Sequence, residues 1–298
     1  LLERGADPND EETPYHAPET HDNRALQVLV ESGKLSDDNL AAMLLRKADW
    51  HDYDGIVYLL EHGADPNRMT RWHRTALHQA LRRDNALMNI EALLDHGADP
   101  LLPDRCNGMS AMAIAARRGR GNVLEALERR GVPLELQGLD RLIAACARND
   151  SQQIAACQPA LVRDLLTEGA TLLAEFAGNG NTNGVRRLLD LGVNVDALYV
   201  QGDPYFDIAA NSTALHVAAW RASHDTVRLL IERGASIEAL DGKGRTPIVL
   251  AVRACVDSYW ACRRSPQSVQ ALLAAGASTA GVQFPCGYSA VDDLVKLK

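Results

Sequence analysis

Aromatic residues and cysteines are scarce in this 298-residue chain. Aromatic residues make up 5% of it, and three of them are phenylalanine. A thick core of large rings is therefore disfavoured, and close helix-on-helix packing through small side chains is favoured. The six cysteines include no C-x-x-C pair, and a long chain with so few cysteines is not typical of a disulfide framework. We expect free thiols in a reducing, cytoplasmic compartment.

Long apolar runs, a signal peptide and a surplus of basic charge are also missing. No apolar run approaches the roughly 18 residues that indicate a membrane-spanning helix, and the first residues do not resemble a signal peptide. The 31 Lys and Arg residues against 39 Asp and Glu residues give a net charge of −8, whereas nucleic-acid binding normally uses a basic surplus that replaces counterions. We expect neither a membrane nor a nucleic-acid partner.

The common catalytic motifs are absent. The sequence contains no G-x-S-x-G, H-E-x-x-H or P-loop motif, and its nine histidines do not gather at metal-ligand spacing. The glycine-rich segment 178–184 resembles a dinucleotide fingerprint, but it follows an alanine-rich helical pattern rather than a strand. We interpret it as a turn between two helices and expect no catalytic residue, cofactor site or metal site.

Two short motifs alternate along the chain. The first reads LLERGADPN at the start, returns as LLEHGADPN at 59–67, and recurs in shorter forms up to the segment that ends at Ser278. The second reads TALHQA at 75–80, TALHVA at 213–218 and TPIVLA at 246–251, with a degenerate TPYH at 13–16. Glycines 63, 97 and 131 lie 34 residues apart. A period of this length indicates a repeat array.

Elementary chemistry assigns a structure to each motif. Thr75 and Thr213 are typical helix N-caps, since their hydroxyl groups accept hydrogen bonds from backbone N–H groups of the first turn. Pro247 suits the first helical position, where its missing N–H costs nothing. Gly97 can adopt the positive φ that ends a helix, and the following Ala-Asp-Pro cannot continue it. One repeat is therefore a helix, a turn, a second helix and a protruding loop.

These motifs resemble the ankyrin-repeat family, which has this repeat length and a T-P-L-H-x-A signature. The resemblance covers essentially the whole chain and implies an all-α solenoid of about nine helix-turn-helix repeats with protruding β-turn-like loops. It also implies that His78 and His216 form hydrogen bonds between neighbouring loops. We expect one array over 1–298, with 1–10 ending a truncated repeat and 279–298 forming a C-terminal cap. First helices are expected near 13–21, 38–47, 75–83, 110–118, 140–148, 171–179, 213–221, 246–254 and from 288.

Several repeats depart from the pattern. The repeat at 37–66 lacks the opening signature, and the second helix of the fifth repeat is broken at Pro159. Two later repeats are long, with 42 residues from glycine 192 to glycine 234 and again from 234 to 276. Their extra residues lie at 199–207 and 255–265. Insertions in repeat arrays often lie on the binding face, but long loops are also tolerated without function, and both interpretations remain open.

The resemblance implies that a partner protein binds a concave surface lined by first helices and loops. The last turn of the first helix is basic in successive repeats, at Arg46-Lys47, Arg82-Arg83, Arg117-Arg118, Arg148, Arg221 and Arg253. Cations are favourable at helix C-termini, and a basic strip also fits an acidic partner. The two explanations are not exclusive.

Large aromatic residues complete the predicted binding surface. Tryptophan, tyrosine and arginine commonly anchor interfaces, although a tryptophan can also cover an exposed helix pair. Trp50 and Trp260 are weaker candidates near inter-helix turns. The predicted partner-binding residues are Trp72, Arg82, Arg83, Arg117, Arg118, Trp220 and Arg221, flanked by Tyr199, Tyr205 and Phe206.

The sequence thus predicts a non-catalytic protein–protein interaction scaffold. We expect a monomer that binds a protein with an acidic surface, either in the cytoplasm or, for a host-directed effector, in a host cell. The alternative is the ankyrin targeting segment of a longer enzyme or effector whose catalytic domain lies outside the chain. The first residues resemble the middle of a repeat, which keeps that alternative open.

Overall fold

The computed structural model describes residues 2–258 and 263–296, and within these ranges it contains helices, turns and isolated β-bridges but no β-strand. This confirms the all-α prediction. The α-helices are α1 (Thr13–His16), α2 (Arg24–Glu31), α3 (Asp37–Asp49), α4 (Tyr53–Glu61), α5 (Ala76–Arg82), α6 (Leu87–Asp95), α7 (Ala111–Arg117), α8 (Gly121–Arg129), α9 (Gly138–Ala147), α10 (Ser151–Ala155), α11 (Pro159–Gly178), α12 (Thr182–Asp190), α13 (Ala214–Trp220), α14 (His224–Glu232), α15 (Pro247–Val256), α16 (Gln267–Ala274) and α17 (Ser289–Lys296). Two short 3₁₀ turns lie at Leu2–Arg4 and Pro204–Phe206.

Odd-numbered helices are the first helices of the repeats, and even-numbered helices are the second. The first helix α13 packs against its own second helix, α14, and against the next first helix, α15, and α3 packs in the same way against α4 and α5. The helices from α1 to α16 form successive pairs, and α17 stands at the end. Within the described ranges, this gives a first helix at or near each of the nine predicted places.

The contacts divide the chain into two compact units. The N-terminal unit runs to Ala115 and includes Asn122–Leu134, whereas the C-terminal unit contains Ala116–Gly121 and the residues from Glu135 onward. Alanine and aliphatic side chains fill both interiors, with Ala80 fully buried in the first unit and Ala218 fully buried in the second. Alanine has no bulk beyond Cβ, so the first helices of each unit pack closely.

The signature threonine and histidine form the start of the first helix. The Thr75 hydroxyl accepts from the backbone N–H of His78, and the Thr75 backbone N–H donates to His78 Nδ1 at 3.3 Å. The other ring nitrogen, Nε2, lies 2.9 Å from the Leu102 carbonyl oxygen of the next loop. The same arrangement recurs at Thr213 and His216. The predicted inter-loop role of both histidines is confirmed.

Other helix ends follow the predicted chemistry. The repeat that lacks the signature begins at Ser36, whose side chain accepts from the backbone N–H of Asn39. Gly97 has a φ of +87°, and a Cβ placed there would meet nothing within 4 Å. The glycine is therefore required by its left-handed backbone and not by lack of space.

The largest departure from a regular repeat lies between α9 and α12. The predicted break at Pro159 is confirmed, since α10 has five residues and Pro159 is the first residue of α11. Helix α11 then continues for 20 residues to Gly178. The first helix expected near 171–179 therefore begins earlier, and helix replaces the protruding loop.

Asn181 links three successive turns of the C-terminal unit. Its amide nitrogen donates to the carbonyl oxygens of Gly119 and Ala147, at 2.7 Å each. Its amide oxygen accepts from the backbone N–H of Gly184 at 2.8 Å and so caps α12. The glycine-rich segment 178–184 therefore contains the predicted inter-helix turn. The Asn181 side chain in this turn forms hydrogen bonds between repeats.

The substitution Asn181→Ala leaves two carbonyl groups without this donor and removes the cap of α12. We expect it to lower the free energy of unfolding by about 2–4 kcal/mol, measured by urea denaturation followed by helical circular dichroism. Asn183→Ala is the matched control, because Asn183 is exposed on the same helix and should change stability by less than about 0.5 kcal/mol. Equal effects of the two substitutions would contradict this role of Asn181.

Stability should also depend on pH through the two buried histidines. Burial lowers the pKa of His78 and of His216 below the ordinary value of 6.5, against smaller opposing contributions from their hydrogen-bonded carbonyl groups. Since the unfolded chain then binds protons more readily, stability is retained above pH 6.5 and declines as the pH falls below it. Denaturant midpoints measured across this range should fall for the wild type. They should fall less for the His78→Gln/His216→Gln variant, and identical slopes would refute the assignment.

Candidate functional site

Four of the predicted arginines, Arg82, Arg83, Arg117 and Arg118, are paired with carboxylates of the protein itself. In the N-terminal unit, Arg82 lies 2.9 Å from the Asp104 carboxylate and Arg83 lies 2.8 Å from that of Asp49. Each of these ion pairs joins residues of neighbouring repeats. The positive charge at these positions is therefore largely neutralised within the unit.

The same holds in the C-terminal unit. Arg117 forms ion pairs with Asp140 and Glu168, and Arg118 lies 3.1 Å from the Glu175 carboxylate. The Arg118 and Glu175 side chains are 13% and 12% exposed, respectively. These arginines link repeats to one another, which neither of the two sequence-based explanations for the basic positions included.

Four of the predicted contact residues are buried. Trp220 is 6% exposed, Arg221 2%, Tyr199 8% and Phe206 7%. The indole Nε1–H of Trp220 donates to the Phe206 carbonyl oxygen at 2.6 Å. The structure therefore corrects the prediction that these four side chains present themselves to a partner, because the inserted loop, which carries Tyr199 and Phe206, packs against Trp220 and Arg221. Tyr205, 43% exposed, remains at the surface.

Trp72 lies in an exposed aromatic and cationic group of the N-terminal unit. It is partly exposed, its ring centroid is 6.0 Å from that of Tyr15, and the guanidinium carbon of Arg71 is 4.7 Å from its ring centroid. The Arg46 guanidinium carbon also lies 4.1 Å from the Tyr15 ring centroid. We call Tyr15, Arg71, Trp72, His73 and Arg105 the Trp72 surface.

Hydrogen bonds hold the two loops that carry Arg71, Trp72, His73 and Arg105, whereas Tyr15 lies on α1. Within the first loop, the Thr70 backbone N–H and hydroxyl both donate to the Arg74 carbonyl oxygen, at 3.1 and 2.7 Å. Between the loops, the Arg105 backbone N–H donates to the His73 carbonyl oxygen at 2.8 Å. The Trp72 surface is therefore preorganised by its backbone.

A cavity of about 390 Å³ opens beside these loops. It is lined by apolar side chains, including Pro14 and Met69, and by Arg71, His73 and Arg105. Arg71 and Arg105 are exposed, and in the part of the chain that the structure describes neither forms an ion pair. Tyr15, Arg71 and Arg105 were not among the residues predicted from the sequence, although Tyr15 lies in the degenerate TPYH motif.

The remaining tryptophan candidates do not belong to this group. Trp50 is 37% exposed at the turn after α3, with its ring centroid 6.1 Å from that of His21. Trp260, together with Cys262, lies outside the described residues. Within the described ranges, no cluster of His, Cys, Asp or Glu side chains is suited to a metal ion.

Comparison with known proteins identifies the repeats. The sequence profile of the family described as "Ankyrin repeats (3 copies)" matches residues 44–137 and 141–241, which is more than half of the chain. The chain belongs to the ankyrin-repeat family. Among the residues that the structure describes, no helix has the length and apolar character needed to cross a membrane.

Individual ankyrin-repeat relatives match parts of the chain. It is 34% identical over 143 residues to the Ankyrin repeat and LEM domain-containing protein 1 homolog of Caenorhabditis elegans, covering 45% of this chain and 19% of that protein. It is 35% identical over 106 residues to human Cyclin-dependent kinase 4 inhibitor B, covering 36% of this chain and 72% of that protein. The crystal structure of the human ASB11 ankyrin repeat domain aligns with 90% of this chain and 99% of that domain, at 21% identity and a TM-score of 0.37.

Ankyrin repeats are generally protein–protein interaction modules, and ankyrin folds are typically non-enzymatic scaffolds. The chain spans less than a fifth of the first of these relatives. This chain thus belongs to a family whose repeats generally bind other proteins.

The two tryptophans should respond differently to the loss of their indole N–H. Trp220→Phe removes the donor to the Phe206 carbonyl group in a buried place, so we expect a loss of about 1–3 kcal/mol in the free energy of unfolding. Trp72→Phe, at the surface, should change it by less than about 0.5 kcal/mol. Urea denaturation of both variants checks this expectation, and similar costs at the two positions would show that Trp220 is not specifically bonded.

Proposed function

We propose that this chain is a non-catalytic ankyrin scaffold that binds a partner protein through the Trp72 surface of its N-terminal unit. The observation that supports this most directly is the group formed by the partly exposed Tyr15 and Trp72 and the exposed Arg71 beside an open cavity. The proposal retains Trp72 from the sequence-based set and replaces the paired arginines with Arg71 and Arg105.

The composition and rigidity of the Trp72 surface favour tight binding. Tryptophan, tyrosine and arginine are the side chains that most often dominate interface energies, since they bury a large area around one polar group. The hydrogen bonds between the loops at 70–74 and 105 fix the backbone before a partner arrives. Less conformational entropy is then lost on association.

Charge favours a partner that presents a carboxylate or another anionic group. Arg71 and Arg105 line the cavity, and neither is neutralised by an ion pair within the described part of the chain. Two acidic residues, Glu11 and Asp38, also line it. Asp38 lies 2.6 Å from Arg68, whose hydrogen bond lowers the pKa of the Asp38 carboxyl group. An acidic group of the partner would therefore bind on the side of the cavity that carries the two arginines.

One relative is consistent with a role through binding. Human Cyclin-dependent kinase 4 inhibitor B is named for inhibiting another protein, and 72% of its length aligns with this chain. We infer that this chain acts by binding to its partner protein, without a chemical step of its own.

The proposal is tested with the Arg71→Ala/Trp72→Ala variant. Proteins retained from the native cell extract by the wild type and lost by this variant should be identified by mass spectrometry, and the strongest then purified and titrated by calorimetry. We expect its Kd to rise by about 30-fold or more, which corresponds to the roughly 2 kcal/mol typical of a hot spot. Affinity should also fall with added salt if the partner group is anionic.

Trp50→Ala provides the matched control. Trp50 is an exposed tryptophan of the same unit that lies outside the Trp72 surface. Its substitution should leave the retained proteins and the Kd unchanged. Equal retention by the wild type and both variants would place the binding site elsewhere and overturn the proposal.

A further inference from the structure

The insertion at 199–207 forms an ordered loop in the C-terminal unit. The Tyr199 backbone N–H donates to the Ser212 carbonyl oxygen at 2.8 Å, and Asp203 and Ile208 exchange two backbone hydrogen bonds at 2.9 Å each. These bridges close the loop at two levels below a 3₁₀ turn at Pro204–Phe206. The position of the tip is therefore fixed by main-chain pairing.

The tip lies against residues on and just after the first helices. The guanidinium carbons of Arg118 and Arg221 lie 5.6 and 4.4 Å from the Phe206 ring centroid. The main-chain carbonyl of the same phenylalanine receives the Trp220 indole N–H. Below it, the Tyr199 hydroxyl donates to the Glu175 carboxylate at 3.3 Å. Phe206 is thus recognised through both its ring and its main chain.

The next residue, Asp207, is recognised through its charge. Its carboxylate lies 2.6 Å from Lys243, 3.5 Å from Arg253 and 3.7 Å from Arg245. The Lys243 hydrogen bond contributes most to lowering the pKa of this carboxyl group. The Asp207 side chain remains 41% exposed, and that of Lys243 56%, so solvent screens these ion pairs and they hold the loop only moderately.

We propose that this face of the C-terminal unit is a binding site for a partner protein segment in which an aromatic residue is followed by a carboxylate, and that the chain's own loop occupies it as an internal competitor. The guanidinium groups of Arg118 and Arg221 can contact the ring of an aromatic residue, and the Trp220 indole N–H can donate to its carbonyl oxygen. Lys243 and Arg253 lie near the carboxylate that follows, together with Arg245, which is also paired with Asp241 at 2.8 Å. None of these residues belongs to the Trp72 surface, so this second binding site does not depend on the first.

The arrangement favours this interpretation over a loop that only fills space. Surplus loop residues are ordinarily solvated, whereas Phe206 is one of three phenylalanines in the chain and is 7% exposed. The loop is nevertheless held by the Phe206 ring, the Phe206 carbonyl group and the partly exposed ion pairs of Asp207. Because it is tethered, its effective concentration is roughly millimolar or higher, so a partner segment has to bind better than the loop to displace it.

The test uses the full chain with the substitutions Phe206→Ala and Asp207→Asn. These remove the ring and the charge but retain the loop length, and asparagine tolerates the φ of +52° at position 207. The probe is a fluorescein-labelled synthetic peptide with the sequence of residues 201–209 of this chain. Fluorescence polarisation should show binding to the variant that is at least about ten-fold tighter than to the wild type.

Two controls define the specificity. A peptide in which the phenylalanine is replaced by alanine should lose at least about ten-fold in affinity for the variant. A Tyr205→Ala protein, changed at the exposed tip beside Phe206, should bind the peptide no better than the wild type does. Equal binding of the peptide to the double variant and to the wild type would overturn the proposal, provided that the helical circular dichroism of the two is the same.

If the double variant loses its helical signal, Asp207→Asn alone decides the question. This variant retains the Phe206 ring and removes only the charge that Lys243, Arg245 and Arg253 bind. At least about a three-fold gain in peptide affinity supports the internal competitor, since part of the loop's hold is then lost. No gain refutes it.

Discussion

Hydrogen bonds from the side chains of one repeat to the backbone of another are the interaction on which the rest of this structure depends. A helix-turn-helix repeat leaves carbonyl groups at its turns that it cannot satisfy itself. The side chain of a neighbouring repeat supplies the donor, as Asn85 does for Ala48 and Asn181 does for both Gly119 and Ala147. Within each compact unit, stability therefore arises between repeats more than inside any one of them.

The charged side chains follow the same principle. In an ordinary domain, an arginine near a helix C-terminus can remain solvated and still gain from the helix dipole. Here Arg83 reaches the carboxylate of Asp49, and Arg117 reaches that of Asp140. A half-buried pair of this kind has to be complete, because a single unpaired charge there is costly. Arginine at this repeat position is accordingly matched by a carboxylate from another repeat.

The two compact units therefore offer different surfaces. The N-terminal unit presents Arg71 and Trp72 on loops fixed by backbone hydrogen bonds. In the C-terminal unit, Phe206 and Asp207 of the inserted loop lie on groups of the kind that recognise a protein segment. The regular repeat supplies the support in both cases, and the irregular segments distinguish one surface from the other.

The sequence by itself determined the repeat, its helices and their ends, because these depend on local chemistry. A threonine cap such as Thr213 and a glycine with positive φ such as Gly97 act within a few residues of their own position. It also predicted the break at Pro159, but not that α11 would begin there and replace a loop, since helix continuation depends on what the segment packs against. Only the tertiary structure decided which arginine and tryptophan side chains are accessible to a partner. Arg82 is engaged by Asp104 from a neighbouring loop, and Trp220 is covered by an insertion that precedes it in the chain. Both outcomes depend on side chains brought together by the stacking of repeats, and spacing along one sequence does not specify those distances.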